Sequence, residues 1–321
     1  MPVSHFYDIE QPMRKQKEIS IQLLPIPPTL QDEEEDDIGN QDTQDNERTQ
    51  LDKFVCNIIA PSIKDDIGGM EHPMFAISSK PDTKIRRYQR NGIFVEIAPS
   101  AYGLATIFDK DVLLYCISQL IAGINRGRKP SRTVRVTAHD LLTATYRGTG
   151  GRSYQLLEIA LDRLAGTRIK TNLRTGGRRI KKGFGIIDTY QVIEKSPNDD
   201  QMVALEITLS QWMYNAVLSK ETLTLNPEYF QISGGLERRI YEIAQKHCGN
   251  QPIWKIRLQV LHEKSGSQAS LKEFRRMLQV IVEENNLFDY QIYYNREEDL
   301  VEFLNRNEDI HLQASIKKLL T

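Results

Sequence analysis

An α+β fold is what this sequence predicts, on three observations. From about residue 91 onward, amphipathic helical runs alternate with short β-prone runs. They follow one order (helix, strand, helix, turn, helix, then strands around a hairpin) and follow it twice. The charge is also concentrated, because residues 126–182 hold 15 Lys and Arg against 3 Asp and Glu, a net +12 in a chain whose formal net charge is −1. The repeated order is that of the winged helix-turn-helix, whose third helix enters the DNA major groove while its hairpin meets the backbone. A cluster of +12 calls for a polyanion, with nucleic acid first in line. The expected architecture is therefore two tandem winged helix-turn-helix domains preceded by a disordered acidic N-terminal tail.

Composition narrows the class. A length of 321 residues accommodates two domains, and 40% hydrophobic with 26% charged residues is ordinary for a soluble protein with a packed core. Cys56, Cys116 and Cys248 are odd in number and far apart, which argues against a disulfide framework and for a reducing, cytoplasmic setting. No apolar run approaches the ~20 residues that span a bilayer, and the N-terminus lacks the apolar stretch of a signal peptide. No cofactor or metal motif stands out, and the six histidines are scattered singly.

The tail covers residues 1–53. Residues 1–60 carry 13 acids and 5 bases, and Gln31–Asp52 has almost no apolar side chain with which to offset its ordering entropy. An acidic tail of this kind keeps a protein soluble or competes with nucleic acid for a basic surface. Within it Ile19–Pro28 is a short apolar island, and its Gln22-Leu23-Leu24 is similar to the glutamine-leucine peptides that bind bacterial sliding clamps. Residues 54–90 form a lead-in with no assignable pattern.

The first domain is expected over 91–218. Ile93–Ala98 reads as a strand ending at Pro99. Thr106–Asp109 fits a capping box, and the helix after it, to about Ile124, carries Val112, Leu113, Cys116, Ile117, Leu120 and Ile121 on one face. Arg132–Val136 is β-prone, and Thr137–Asp140 caps a short second helix to about Tyr146. Gly148-Thr-Gly-Gly151 breaks it. Ser153 is the expected N-cap of a third helix to about Ala165, with Leu156, Leu157, Ala160, Leu161 and Leu164 inward. Thr167–Leu173 and Phe184–Ile193 read as strands joined by the basic hairpin Arg174–Gly183.

A second domain is expected over 219–307, with residues 308–321 as a C-terminal tail. The strand Val203–Leu209 and a helical run Trp212–Leu218 read as the start of the repeat, and Asn226-Pro227 as the start of a short helix to about Phe230. Leu236, Ile240, Ile243, Ala244 and His247 mark a helix closed by Gly249. Trp254–Leu258 is β-prone, Val260–Lys264 a short helix and Ser265-Gly-Ser267 a turn. Ser270–Glu273 is a third capping box, opening a helix to about Glu284 with Phe274, Leu278 and Ile281 inward; strands Tyr290–Tyr294 and Leu300–Leu304 flank Asn295–Asp299.

Candidate contacts follow from these elements. A glycine-rich turn feeding a helix presents free N–H groups to a phosphate, here with Arg147 and Arg152 beside it. The turn lacks the Lys-Ser/Thr of a nucleotide-binding loop. Base edges are read near the start of such a helix, which nominates Ser153, Tyr154, Gln155 and Glu158. Arg174, Arg178, Arg179, Lys181 and Lys182 have no acid among them, so the hairpin is expected on the DNA backbone. The second unit offers Lys264, Ser267, Ser270, Lys272, Arg275 and Arg276, with an acidic hairpin Arg296-Glu-Glu-Asp299 that should not grip phosphates.

From about Gly92 to about Tyr294 the sequence resembles the replication initiator protein A family of bacterial plasmid replication proteins. The matching motifs begin with Pro99-Ser100, Gly103, Thr106-Ile107-x-Asp109-x-Asp111 and Arg147-Gly-Thr-Gly-Gly-Arg-Ser-Tyr154. They continue with Leu161-Asp-Arg-Leu-x-Gly-Thr-Arg-Ile169, Thr175-Gly-Gly-Arg178, Leu209-Ser-x-Trp212, Glu237-Arg-Arg-x-Tyr-Glu242, Lys246-His-Cys-Gly249 and Lys264-Ser-Gly-Ser267. The resemblance implies a protein that binds double-stranded plasmid origin DNA, at repeated sites in the wider class, and has no catalysis of its own. It also implies recruitment of host replication proteins such as a helicase loader or initiator, and a homodimer that represses its own promoter. The alternatives are a repressor on the same fold with no replication role, and a nickase or primase enzyme.

Overall fold

Three strands in the spatial order first, third, second, packed with three helices, occur twice in the chain. The computed structural model describes residues 53–175, 178–179, 182–196 and 199–312, with the backbone alone at 174–175, 178–179, 182 and 199–201. The expectations for residues 1–52, Gln22-Leu23-Leu24 among them, and for 313–321 lie outside the described residues. In chain order the elements are β1 (Phe54–Val55), β2 (Lys64–Asp66), α1 (Ile67–Glu71), β3 (Arg86–Arg90), β4 (Ile93–Ala98), α2 (Lys110–Asn125), β5 (Thr133–Thr137), α3 (Ala138–Ala144) and α4 (Gly151–Gly166). They continue with β6 (Arg168–Thr171), β7 (Arg174–Thr175), β8 (Arg178–Arg179), β9 (Lys182–Gly185), β10 (Ile187–Ser196), β11 (Asp199–Leu209), α5 (Gln211–Leu218) and β12 (Thr222–Thr224). A 3-10 turn at Tyr229–Gln231 then leads to α6 (Gly235–His247), β13 (Ile253–Arg257), α7 (Leu258–Ser265), α8 (Leu271–Glu284), β14 (Tyr290–Asn295) and β15 (Leu300–Asn305).

In the first half β11 lies between β5 and β10, and β1 adds to β5 in parallel. In the second half β15 lies between β13 and β14. Each first strand runs directly into the next helix, β5 into α3 and β13 into α7. The capping boxes form as the residue spacing requires. Thr106 Oγ1 accepts from Asp109 N at 3.2 Å while Asp109 Oδ2 accepts from Thr106 N at 2.8 Å. Thr137 and Ser270 cap α3 and α8 with their hydroxyls alone, accepting from the amides of Asp140 and Glu273. Gly249, at φ +49°, follows α6 as the left-handed residue expected there.

Five expectations need correction. The run Phe184–Ile193 is two strands in two sheets: β9 pairs with β6 in a sheet ordered β3-β4-β6-β9, while β10 pairs with β11. The basic hairpin is therefore an insertion on a separate sheet, and the turn of the first repeated unit is the one between β10 and β11. The crossing is marked by Gly185, where an added Cβ would lie 2.6 Å from the Ile187 carbonyl oxygen, so only glycine fits the bend. Val203–Leu209 consequently closes the first half and does not open the second. The third helix starts at Gly151 with Gly150 as its N-cap, so Ser153 sits inside the first turn and its amide donates to Gly150 O at 2.8 Å. Leu156 points outward, at 50% exposure. Asn226-Pro227 precedes a single 3-10 turn.

Two apolar cores result. The first draws on Phe54, Val112, Leu120, Val136, Leu157, Leu161 and Ile207; the second on Tyr229, Ile240, Phe274, Leu278 and Phe303. The lead-in stitches them together, because Phe54 packs in the first core while Ile63 and Met70 pack in the second, as does Leu114 of α2. Strand β2 pairs with β12, and α1 lies on α6. Among the described residues no helix is long and apolar enough to cross a membrane.

Candidate nucleic-acid interface

Helix α4 owes its position to two polar ties and one apolar face. Leu157, Ala160, Leu161 and Leu164 are buried, at the 3–4 residue spacing of one helical stripe. Arg163 grips Asp109 in a two-pronged ion pair, Nε to Oδ2 at 2.7 Å and Nη2 to Oδ1 at 2.6 Å. On another side Tyr190 of β10 donates to Asp162 at 2.6 Å. Tyr154 is half-buried against the first core.

What these ties leave exposed is the start of the helix. Arg152, Gln155 and Glu158 are exposed, Ser153 is half-buried, and Arg152 and Gln155 have no hydrogen-bond partner among the described residues. Gly150 supplies no capping side chain, and a Cβ placed on Gly150 or Gly151 would meet nothing within 4 Å. The first turn thus presents open N–H groups and the positive end of a 16-residue helix to solvent.

Arg147 behaves differently from its neighbour Arg152. Its guanidinium turns inward, donating to Phe108 O and lying 3.3 Å from Asp111 Oδ2. Asp111 in turn accepts from Arg238 Nη1 of α6 at 2.7 Å. Burial raises the Asp111 carboxyl above its ordinary range, against the pull of Arg238 and Arg147. The glycine turn is therefore anchored to the second half through one buried carboxylate, and Arg147 is a structural tie.

The inserted sheet adds a basic face that residue counting had not resolved. Arg168 and Lys170 alternate with buried Ile169 and Thr171 along β6, so both project from the outer surface. Lys170 stands opposite Glu96, and Glu96 opposite Arg87. Arg87 Nε meets Glu96 Oε2 at 2.7 Å. The alternation Arg-Ile-Lys-Thr was the available signal. Strand β6 continues into the β7–β8 ladder, whose backbone pairs Arg174 with Arg179 and Thr175 with Arg178. The side chains of Arg174, Arg178, Arg179, Lys181 and Lys182 lie outside the described residues.

In the second half most of the proposed cations are engaged by the protein itself. Lys264 pairs with Glu71, which also meets His247 Nε2 at 2.7 Å. Although burial opposes it, these two partners hold the Glu71 carboxyl down at about 2. Arg275 donates to Tyr294 Oη at 2.8 Å and to Asp299 at 3.1 Å, and Arg276 pairs with Glu273 at 2.7 Å. Ser270 is occupied as the α8 cap, and Ser267 Oγ accepts from Ala269 N at 3.3 Å. Lys272 is exposed. Sequence reading placed Lys264, Arg275 and Arg276 as DNA contacts because their acidic partners come from other elements or sit a helical turn away.

Among the described residues no group of three or more His, Cys, Asp or Glu could hold a metal ion. The three cysteines are free and buried, and burial pushes the Cys116 thiol up to about 12.

A mixed α+β chain with two like-ordered halves, an open helix start and a separate basic sheet matches known proteins in three comparisons. The model of the replication initiator protein A family matches residues 64–292. A relative from Wigglesworthia glossinidia brevipalpis, named "Putative replication protein", is 40% identical over 247 residues, covering 76% of this chain and 90% of the relative. The chain belongs to the replication initiator protein A family. Its fold is similar to crystal structures of domains 2 and 3 of RctB. One, a selenomethionine derivative, has a TM-score of 0.56 at 10% identity over 73% of this chain and 95% of that one. The other has a TM-score of 0.51 at 11% identity, covering 74% and 97%.

Proposed function

We propose that the protein is a plasmid replication initiator that binds double-stranded origin DNA, without catalytic chemistry of its own, and recruits host replication proteins. Each half is read as a winged helix: α2, β5, α3, α4, β10 and β11 in the first, α6, β13, α7, α8, β14 and β15 in the second. The observation that carries the reading is the exposed start of α4, where Arg152 and Gln155 are uncommitted beside an open glycine turn, in a member of a replication initiator family. Gln155 and Glu158 are assigned to base edges and Arg152 with the α4 N-terminus to phosphate.

The wings take a smaller part than their position suggests. Residues 194–200 (Glu-Lys-Ser-Pro-Asn-Asp-Asp) and 296–299 (Arg-Glu-Glu-Asp) carry more acid than base, so neither tip suits a phosphate. The inserted β6–β9 hairpin with Arg168 and Lys170 supplies the backbone contact instead. Of the second-half cations nominated from the sequence, Lys272 is the one left for DNA, since Lys264, Arg275 and Arg276 are paired with carboxylates.

Footprinting on the DNA that flanks the gene tests binding. A plasmid carrying only the gene and that DNA tests initiation: replication in a suitable host is expected, and binding without replication would leave a repressor. Strand cleavage or primer synthesis with a divalent metal would instead reveal an enzyme.

A further inference from the structure

We infer that Leu156 reads the 5-methyl group of a thymine in the half-site contacted by α4. This inference rests on the DNA-binding reading of that helix.

A half-exposed leucine on a protein surface needs no explanation by itself. Three observations single this one out. It is the one large apolar side chain of α4 that is exposed, at 50%, although the buried stripe beside it is fully occupied by Leu157, Ala160, Leu161 and Leu164. It lies one helical turn after Arg152 and next to Gln155, so it shares the exposed first two turns with groups suited to phosphate and base edges. And among the described residues nothing lies within 4 Å of a Cβ placed on Gly150 or Gly151, at the start of the same helix.

The second half supplies an internal comparison. The buried positions Leu157, Leu161 and Leu164 of α4 have the same spacing as Phe274, Leu278 and Ile281 of α8. In that register Leu156 corresponds to Glu273, whose carboxylate is held by Arg276 and whose amide completes the Ser270 cap. The apolar group is therefore specific to the first half and no requirement of the helix-turn-helix. In the major groove the thymine methyl is the apolar feature that a leucine side chain can cover, beside the acceptors and donors that Gln155 and Arg152 can meet. Covering it removes apolar area of both partners from water. A methyl-sized contact changes affinity about fourfold.

The test uses the full-length protein and duplexes selected by it from a random pool. Each thymine of the selected consensus is replaced in turn by deoxyuridine, which keeps base pairing and removes only the methyl. Affinities are measured for the wild type, Leu156→Ala, Leu156→Met and Gln155→Ala. At one or two thymines on one side of the site, the wild type and Leu156→Met should lose about fourfold on uracil substitution, while Leu156→Ala should lose nothing. Uracil tolerated at every thymine, or an equal loss in wild type and Leu156→Ala, overturns the thymine contact. In that case Gln155→Ala still altering the selected sequence leaves the DNA-binding reading standing. Failure to select any duplex removes both. Thermal unfolding checks that Leu156→Ala is folded, as expected for a half-exposed position where alanine favours helix.

Discussion

Lys110 Nζ and Glu242 Oε1 meet at 2.9 Å, each side chain 1% exposed, and they come from the first helices of the two halves. Asp65 of the lead-in closes on the same ammonium at 2.6 Å. Tyr229 donates to Glu242 at 2.7 Å and Arg239 meets its other oxygen at 3.1 Å. Desolvation works against the Lys110 charge, but the carboxylates of Asp65, Glu242 and Asp66 outweigh it and hold the ammonium above its ordinary range. The seam between the halves is thus a buried ionic lock flanked by two apolar cores.

Removing one member of such a network leaves buried charges uncompensated. Lys110→Met is expected to lose about 3–5 kcal/mol of unfolding free energy. Urea unfolding checks it, and Asp65→Asn added to Lys110→Met should recover part of the loss because it removes one of the orphaned carboxylates.

Acid should loosen the same region in two windows. Burial depresses His72 to about 4 from an ordinary 6.5, with Lys264, Arg239 and Lys246 also opposing its charge and Glu71 favouring it. The unfolded chain therefore binds a proton that the folded one refuses. Stability present above pH 6.5 falls as pH drops toward 4, by up to roughly 3 kcal/mol. His72→Asn should flatten that slope in urea titrations run from pH 7 to 4. Glu71, held at about 2, contributes stability above its unfolded range near 4.5 that is lost only as pH falls further, toward 2. A slope between pH 7 and 5 that survives His72→Asn would assign it elsewhere.

The basic hairpin should act on all DNA alike. Replacing Arg178, Arg179, Lys181 and Lys182 by alanine is expected to weaken binding to every sequence and to flatten the dependence of log affinity on log salt by about 0.9 per lost contact. Titrations between 50 and 200 mM salt measure the slope. An unchanged slope would take the hairpin off the backbone.

Gln155 and Arg275 should now part company. Gln155→Ala is expected to relax sequence preference in a selection experiment, since its amide is uncommitted and exposed. Arg275 is tied to Tyr294 and Asp299, so Arg275→Ala should lower stability modestly and leave the selected sequence unchanged. A shift in the selected sequence with Arg275→Ala would put α8 back among the base readers.

Much of the fold was legible in the residues because its signals are local. A capping box, a glycine break and a 3.6-residue apolar stripe are each complete within about a dozen positions. Thr106–Asp109, Thr137–Asp140 and Ser270–Glu273 show this. The misread strand at Phe184–Ile193 failed on the same ground. Alternation says that a run is extended but not which sheet it joins, and Gly185 was the one local mark of the crossing. Leu156 was placed inward by periodicity, since a stripe of four leucines and an alanine looks continuous whether or not its edge is covered.

The sequence by itself determined the repeated order of elements, the family motifs and where the positive charge is concentrated, since all three are properties of neighbours along the chain. Only the tertiary structure decided which of the candidate cations already have a carboxylate partner. Arg147, Lys264, Arg275 and Arg276 meet Asp111, Glu71, Asp299 and Glu273 in the fold. Three of those four pairs are separated by 24 or more residues. An ion pair is set by distance in space, and distance in space between far-separated residues is written in no short stretch of sequence.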